Sequence, residues 1–372
     1  MHVLVTTDTL SGVWTYSREL VSGLVTRGVR VTLVSFGGIP LPEQNSWMEK
    51  LHGLDYRPTA FRLDWMQEGE QDLSDATAYL AGLVQELKPD LLHLNHLCFG
   101  NLPGNVPRLA VAHGDLISWW RIVHGRQPRP TRWLAWYREV VTRGCAGADV
   151  IVAPSAWMLD TVRSCYTSGR REVVIYNGRN PIYFNPYLSK EDSVLAIGRL
   201  WDVGKQVTLL TQHPHPLPVC IVGADGPVQE MKSPVRADVK VSTETACVAV
   251  RGPQTEAQLR MLYSRAAIFA ATSRYEPFGM ALLEAAFSRC AIVANDIPSF
   301  REIWGDAAFY FRENDAASLA EAIRQLSQDR DLCRNYGTRA YQRARERFTA
   351  KRMQDEYLAL YRDLLSTRAA VA

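Results

Sequence analysis

The first two apolar runs restrict the fold more than any other feature. His2 to Thr6 is one, and Val29 to Phe36, rich in β-branched residues, is the other. Between them, Val13 to Thr26 sets Val13, Tyr16, Leu20 and Leu24 at helical spacing. Strand, helix, strand in this order is the opening of a parallel α/β sheet, because parallel strands need a crossover and a helix supplies it. The turn Thr9-Leu10-Ser11-Gly12 then falls at the carboxyl end of the first strand, where open sheets bind ligands. It is no G-x-G-x-x-G, so a dinucleotide fingerprint is missing, and ordinary turn chemistry accounts for it equally well.

The pattern continues. Residues 37 to 70 form an excursion with one short strand near Tyr56 to Phe61. A helix is predicted over Ser74 to Leu87, then strands over Leu91 to Leu94 and Arg108 to Ala112, the latter ending in His113-Gly114-Asp115. Leu116 to Trp136 is a Trp- and Arg-rich segment, followed by a helix to about Cys145. A strand Val150 to Ala153, a helix capped by Ser155 and a strand Val173 to Tyr176 close the half. Asn177-Gly178-Arg179-Asn180-Pro181 reads as a domain boundary. A second series follows: a strand Ser193 to Gly198, the segment Arg199 to Lys205 with a helix after it, and a strand Val219 to Val222 ending in Gly223-Ala224-Asp225-Gly226. Then come a strand Ala246 to Val250, a helix Glu256 to Ser264, a strand Ala267 to Ala271, a helix from Met280, a strand Ala291 to Ala294, and helices from Ala316 to Leu365.

At 372 residues, the chain exceeds one ordinary domain. Two Rossmann-like domains facing each other across a cleft are the expected architecture. Their expected extents are 1–178 and 179–351, with a last helix, 352–372, packing back on the first.

Composition excludes several classes. Apolar content of 47% with 22% charged residues is that of a water-soluble globular chain, and a net charge of +3 points to no nucleic-acid partner. Between residues 101 and 180, eleven Arg stand against five Asp plus Glu, a surplus of six suited to phosphates, an acidic substrate or an anionic membrane face, or simply to a solvated surface. Seven scattered cysteines without a C-x-x-C pair suit reduced thiols in a cytoplasm. No apolar run is long enough to span a bilayer, and the N-terminus reads as a strand rather than a signal peptide.

The densest chemistry lies in Ser273-Arg274-Tyr275-Glu276-Pro277-Phe278-Gly279-Met280, continuing to Glu284. Here a strand enters a loop and a helix leaves it. Proline stiffens the loop, Gly279 permits close approach to the backbone, and the free N–H groups at the helix start attract anions. Two glutamates, Glu276 and Glu284, are separated by seven residues.

With that motif, the chain resembles the retaining GT-B glycosyltransferases of family 4, which use nucleotide sugars. The supporting elements are Gly198-Arg199-Leu200 with Lys205, Gly223-Ala224-Asp225-Gly226, Tyr176-Asn177-Gly178, and the strand-ending His113. Two departures stand out. The N-terminal turn has Ser11-Gly12 where the family usually pairs glycines, and five residues rather than four separate Arg199 from Lys205.

The resemblance implies a transfer without metal or other cofactor, in which Arg199 and Lys205 hold the diphosphate together with backbone N–H groups near Phe278, Gly279 and Met280. It implies that Glu284 takes the ribose hydroxyls, and that Glu276 and His113 lie against the transferred sugar. Gly12, Gly223 and Arg251 complete the expected donor-binding set. Retention is open between a covalent intermediate and same-face attack. A UDP-sugar is the expected donor, GDP-mannose the next, and a hydroxyl on a glycan, lipid-linked or small molecule the acceptor. Asp115, Trp119, Trp120 and Arg121 are the acceptor-side candidates, with aromatic packing under a loop as their plain alternative. A cytoplasmic enzyme with peripheral membrane contact is compatible with this reading. An epimerase of the same fold and a non-catalytic nucleotide-sugar-binding protein are the competing readings.

Overall fold

The computed structural model describes residues 1–166, 171–223 and 248–369. It divides into two compact units. Unit 1 comprises Met1–Arg121, Arg126–Gly178 and Ala350–Ala372, and unit 2 comprises Ile122–Gly125 and Arg179–Thr349.

Unit 1 is built on β1 (His2–Asp8), α1 (Gly12–Val25), β2 (Arg30–Phe36), α2 (Pro42–Asn45), β3 (Leu54–Pro58), α3 (Glu70–Leu87), β4 (Leu91–Leu94) and β5 (Arg108–Val111). They are followed by α4 (Leu116–His124, counted with unit 1 as far as Arg121), α5 (Arg132–Gly147), β6 (Val150–Ala153), α6 (Ala156–Cys165) and β7 (Arg171–Val174). Its seven strands pair in parallel in the order β3-β2-β1-β4-β5-β6-β7. The chain order reverses between β1 and β4, which makes the gap beyond their carboxyl ends the switch point of this sheet.

The excursion contains its strand two residues earlier than expected, at Leu54–Pro58, where Pro58 ends the pairing with β2. The Trp- and Arg-rich segment is itself helical. Gly125, Pro128 and Pro130 separate α4 from α5, and Thr131 caps α5 by accepting from the Leu134 N–H.

Unit 2 contains β8 (Glu191–Ile197), β9 (Val219–Val222), β10 (Val248–Arg251), α7 (Glu256–Arg265), β11 (Ala266–Ala271), α8 (Met280–Phe287), β12 (Ala291–Asn295), α9 (Pro298–Trp304), β13 (Phe309–Phe311), α10 (Ala316–Gln328) and α11 (Arg330–Arg347). Six parallel strands run in the order β10-β9-β8-β11-β12-β13, so the switch point lies between β8 and β11. Ala246 of the expected strand lies outside the described residues.

The helix expected after Lys205 is one 3-10 turn, Val207–Thr211. Gln206 enters it in the left-handed region at φ 51°. The β-branched Val207, Thr208 and Thr211 favour no helix, and Pro214 and Pro216 stop the chain within a turn. The strand β13 went unexpected because three residues show no alternation.

The last helix, α12 (Ala350–Ala369), belongs to unit 1. Met353, Tyr357 and Tyr361 are fully buried in the same core as Tyr16, Leu20 and Leu24 of α1. Each such side chain stabilises by about 1.5–3 kcal/mol. Gln354 clamps the two helices: its amide donates to the Glu19 carbonyl at 2.7 Å and accepts from Arg27 at 2.7 Å.

Candidate functional site

In unit 2 the site grows from the two loops flanking the switch point. Gly198 opens the first, and Gly223 lies beside it just past β9, so tightly that a Cβ on Gly223 would stand 1.8 Å from the Gly198 carbonyl oxygen. Gly223 is thus explained by close backbone packing. Ala224, Asp225 and Gly226 lie outside the described residues.

Asp202, buried, organises the segment after β8. One carboxylate oxygen accepts from the Gly204 N–H at 2.9 Å, the other from Arg199 Nη2 at 2.7 Å, and the guanidinium lies 5.1 Å from the Trp201 ring centroid. Arg199 is thereby held rather than left to swing. The segment is sewn to the loop after β11: the Arg274 N–H donates to the Gly204 carbonyl at 2.8 Å, and Thr272 Oγ1 to the Lys205 carbonyl at 2.7 Å. Across that seam Lys205 Nζ donates to Glu276 Oε2 at 2.6 Å, and Ser273 Oγ reaches the same oxygen at 3.2 Å. Asn295 at the end of β12 supports the loop by donating to the Ser273 carbonyl at 3.1 Å.

Gly279 is the N-cap of α8 at φ 91°, a region that L side chains rarely adopt. No side chain caps the helix there, so its first N–H groups have no cap oxygen. Phe278 turns its ring inward against Phe348, 5.4 Å between centroids, which leaves only its backbone for a ligand. Met280 opens the helix. One turn on, Glu284 is half-buried, with Arg179 Nε 2.9 Å from its Oε1. Arg179 is 2% exposed and also lies 3.3 Å from Glu256. Tyr263 bonds to Glu284 as well, and burial, then the carboxylate, pushes its hydroxyl pKa well up. Arg251 stands exposed at the end of the edge strand β10, separated from β8 by β9.

In unit 1, buried Asp8 shapes the turn after β1, accepting from the N–H groups of Leu10 and Ser11 at 2.9 and 2.7 Å and from Ser11 Oγ at 2.8 Å. Ser11 caps α1, and Gly12 is its exposed first residue. One turn later the Tyr16 ring meets His113 edge-on at 4.4 Å. His113 Nε2 lies 2.9 Å from Asn95 Oδ1. Burial, with His93 and His96 nearby, pushes the His113 pKa down to about 3, and burial alone takes His93 to about 3 and His96 to about 4. The resting imidazoles are neutral.

Three acceptor candidates have framework roles instead. Asp115 is buried, its carboxylate accepting from Tyr166 at 2.5 Å, Tyr137 at 3.0 Å and the Ser118 N–H at 2.7 Å. These bonds hold it as a cap on α4 and a brace to Tyr137 and Tyr166. Trp119 is 9% exposed and unable to stack on a sugar. Arg121 reaches back to Ser164 Oγ at 3.2 Å. Trp120 is half-buried, its ring 6.2 Å from that of Trp119. Among the described residues no three His, Cys, Asp or Glu side chains gather as a metal centre requires, and no helix is long and apolar enough to cross a membrane.

Arg179, Asp202 and Asn95 were absent from the sequence-based site. Arg179 read as part of a domain-boundary turn, while Asp202 sat unnoticed between Arg199 and Lys205. Asn95 had one signal, a polar residue directly after a predicted strand.

Two family models together match most of the chain: "Glycosyltransferase Family 4" over residues 10–181 and "Glycosyl transferases group 1" over residues 190–343. The chain belongs to the family 4, group 1 glycosyltransferases. Enzymes of this family transfer sugars from nucleotide sugars, and that is the activity of this one. The glycosyltransferase is 27% identical to an alpha-maltose-1-phosphate synthase of Mycolicibacterium smegmatis, over 73% of this chain and 75% of that protein. It is 28% identical to O-antigen chain mannosyltransferase C of Escherichia coli over 41% of each.

Among solved structures, sucrose-phosphate synthase from Thermosynechococcus elongatus superposes with a TM-score of 0.75 at 17% identity, covering 99% of this chain and 100% of that one. The Anabaena protein HepE in complex with UDP-glucose gives 0.69 at 15% identity, with 99% and 100% covered. These likenesses identify the fold of the glycosyltransferase as GT-B.

Proposed function

We propose that this enzyme moves a hexose, with retention, from a UDP-sugar to a hydroxyl of a phosphate-bearing acceptor, GDP-mannose being the next donor. The observation that carries the donor half is the Lys205–Glu276 pair at 2.6 Å, held between the loops at the switch point of unit 2.

A departing nucleoside diphosphate gains charge as the anomeric C–O bond breaks. Arg199, fixed by Asp202, offers a planar fork to its oxygens, and Lys205 offers the ammonium protons that Glu276 does not use. The uncapped N–H groups at the start of α8 add partial positive charge. Glu276, pinned by Lys205 and Ser273, steadies positive charge on the sugar. Glu284, aligned by Arg179 and Tyr263, accepts from the ribose hydroxyls, while Gly12 leaves room beside the phosphates. His113 lies against the sugar. The engagement of Asp115 by Tyr166, Tyr137 and the Ser118 N–H supports same-face attack over a covalent intermediate on unit 1.

For the acceptor, the support is electrostatic. From Leu116 to Arg138 there is no Asp or Glu, and Arg126, Arg129 and Arg132 are exposed without an ion pair or hydrogen bond among the described residues. They stand before and at the start of α5, which leaves the carboxyl edge of the sheet to return to β6. The names of two similar proteins, maltose-1-phosphate synthase and sucrose-phosphate synthase, point to phosphorylated products.

The test is a panel of UDP- and GDP-sugars read by nucleoside-diphosphate release, with free hexoses, hexose phosphates and anionic vesicles as acceptor-side probes. UDP-glucose with a hexose phosphate is expected to turn over fastest. Replacing Arg126, Arg129 and Arg132 by Gln is expected to raise the hexose-phosphate KM and to leave donor hydrolysis alone. Equal use of free and phosphorylated hexoses refutes the acceptor half. Vesicle binding lost in the triple variant assigns the arginines to a lipid surface instead.

A further inference from the structure

Asn95 sits one residue beyond β4, at the switch point of unit 1, and its side chain is 4% exposed. Its backbone N–H donates to Thr6 Oγ1 at 2.8 Å. The side-chain Nδ2 lies 2.6 Å from the Thr6 carbonyl oxygen and 3.3 Å from Ser17 Oγ. A carbonyl oxygen only accepts, so the atom facing it is the NH2 group, and the orientation of the amide follows from its surroundings.

Asn95 Oδ1 is consequently the atom between two imidazoles, 2.9 Å from His113 Nε2 and 3.1 Å from His93 Nε2. An amide oxygen only accepts, so His113 Nε2, with no other partner among the described residues, carries a proton; His93 Nε2 also lies 3.1 Å from the Tyr16 hydroxyl, which can donate to a bare nitrogen. On the far side of His93, Nδ1 lies 2.6 Å from the Tyr361 hydroxyl, which serves either tautomer. Thr6, Asn95, His93 and Tyr361 thus form one chain of bonds running from β1 to α12. His113 Nδ1 is left with a lone pair and no partner among the described residues.

We infer that Asn95 is a positioning residue that holds His113 in the Nε2–H tautomer, so that His113 Nδ1 accepts a hydrogen bond from a substrate hydroxyl. The inference rests on the proposed placement of His113 against the sugar. It deepens that reading by stating the direction of the bond. A neutral ring presenting a lone pair accepts from a hydroxyl and repels a phosphate oxygen, so His113 selects a hydroxylated partner. The depressed imidazole pKa values are consistent with the neutral ring.

The first measurement is 15N NMR of the histidine rings in the wild-type enzyme near pH 7. A neutral Nε2–H ring for His113 is expected. An Nδ1–H ring, or an imidazolium, overturns the inference by itself and requires no variant. In Asn95→Leu, His113 is expected to populate both tautomers, and kcat to fall roughly tenfold or more with the donor KM little changed.

A donor analogue series, each lacking one sugar hydroxyl, is expected to contain one member that loses kcat with wild-type enzyme and loses nothing further with His113→Ala. If the tautomer is as stated but His113→Ala turns over normally, the placement of His113 fails and the tautomer assignment survives. The two failures are thereby separated.

Discussion

Acidification offers the most quantitative test of the buried histidines. His93 and His96 are 0% and 9% exposed, and burial depresses their pKa values to about 3 and about 4. In the unfolded chain each returns to about 6.5. Below that value the unfolded state binds protons that the folded state refuses, so stability falls as pH falls, from about 6.5 down to the folded values.

At pH 5 each ring costs about 2 kcal/mol, and the pair about 4 kcal/mol, relative to neutral pH. One group opposes them. Asp64, 8% exposed, has its pKa raised to about 6, chiefly by burial. Its folded form takes up a proton before the unfolded form does, which returns about 1.4 kcal/mol at pH 5. The histidines win, and the net loss is about 2.5 kcal/mol, a large part of a stability of about 5–15 kcal/mol. His113, less deeply buried, adds to the loss in the same direction.

The assay is urea unfolding followed by tryptophan fluorescence and by hydrogen exchange of α1 and α12, between pH 7.5 and 5. The unfolding midpoint of unit 1 is expected to drop, most steeply below pH 6.5. A flat profile, or imidazole titrations near 6.5 by NMR, refutes the reasoning.

Lys205→Ala is expected to lower kcat by about 10²–10³-fold, the scale of one donor to a developing anion, measured as steady-state nucleoside-diphosphate release; near-normal turnover removes Lys205 from catalysis. Gly223→Ala sets a Cβ against the Gly198 carbonyl, with only 1.8 Å between them. It is expected to destabilise unit 2 by about 1–3 kcal/mol or more, read by thermal denaturation, and a variant as stable as wild type contradicts the packing described here.

The donor motif was legible because its parts are close in sequence: strand, loop, Glu276, Gly279 and Glu284 follow one another from Ala266 to Glu284, and spacing alone orders them. The partners were not. Arg179 meets Glu284 more than a hundred residues away, and the ring of His93 reaches Tyr361 across 268 positions. No local pattern announces such pairs. The partners of Asp115 were hidden for the same reason. A carboxylate just beyond a strand end invites an acceptor-side reading, and its bonds to Tyr137 and Tyr166, supplied by distant helical segments, carry no local signal. The helix expected beyond Lys205 failed locally instead, since the β-branched residues and the two prolines hold the chain to one 3-10 turn.

Topology explains where the expected residues fall. Each sheet reverses its strand order once, between β1 and β4 in unit 1 and between β8 and β11 in unit 2. At a reversal the crossover helices leave to opposite faces of the sheet, so the strand ends beyond it are left uncovered by their own connections. Gly12 follows β1, and Asn95 follows β4. Arg199 and Lys205 follow β8, and Glu276, Gly279 and Glu284 follow β11. His113 follows β5, one strand further, and is drawn back to the reversal by its bond to Asn95. Gly223 and Arg251 end β9 and β10, on one side of the reversal, where the structure gives Gly223 a packing reason. The same rule raises Asn95 above its neighbours: it is the side chain that ties the next strand's histidine into the gap that the fold leaves open.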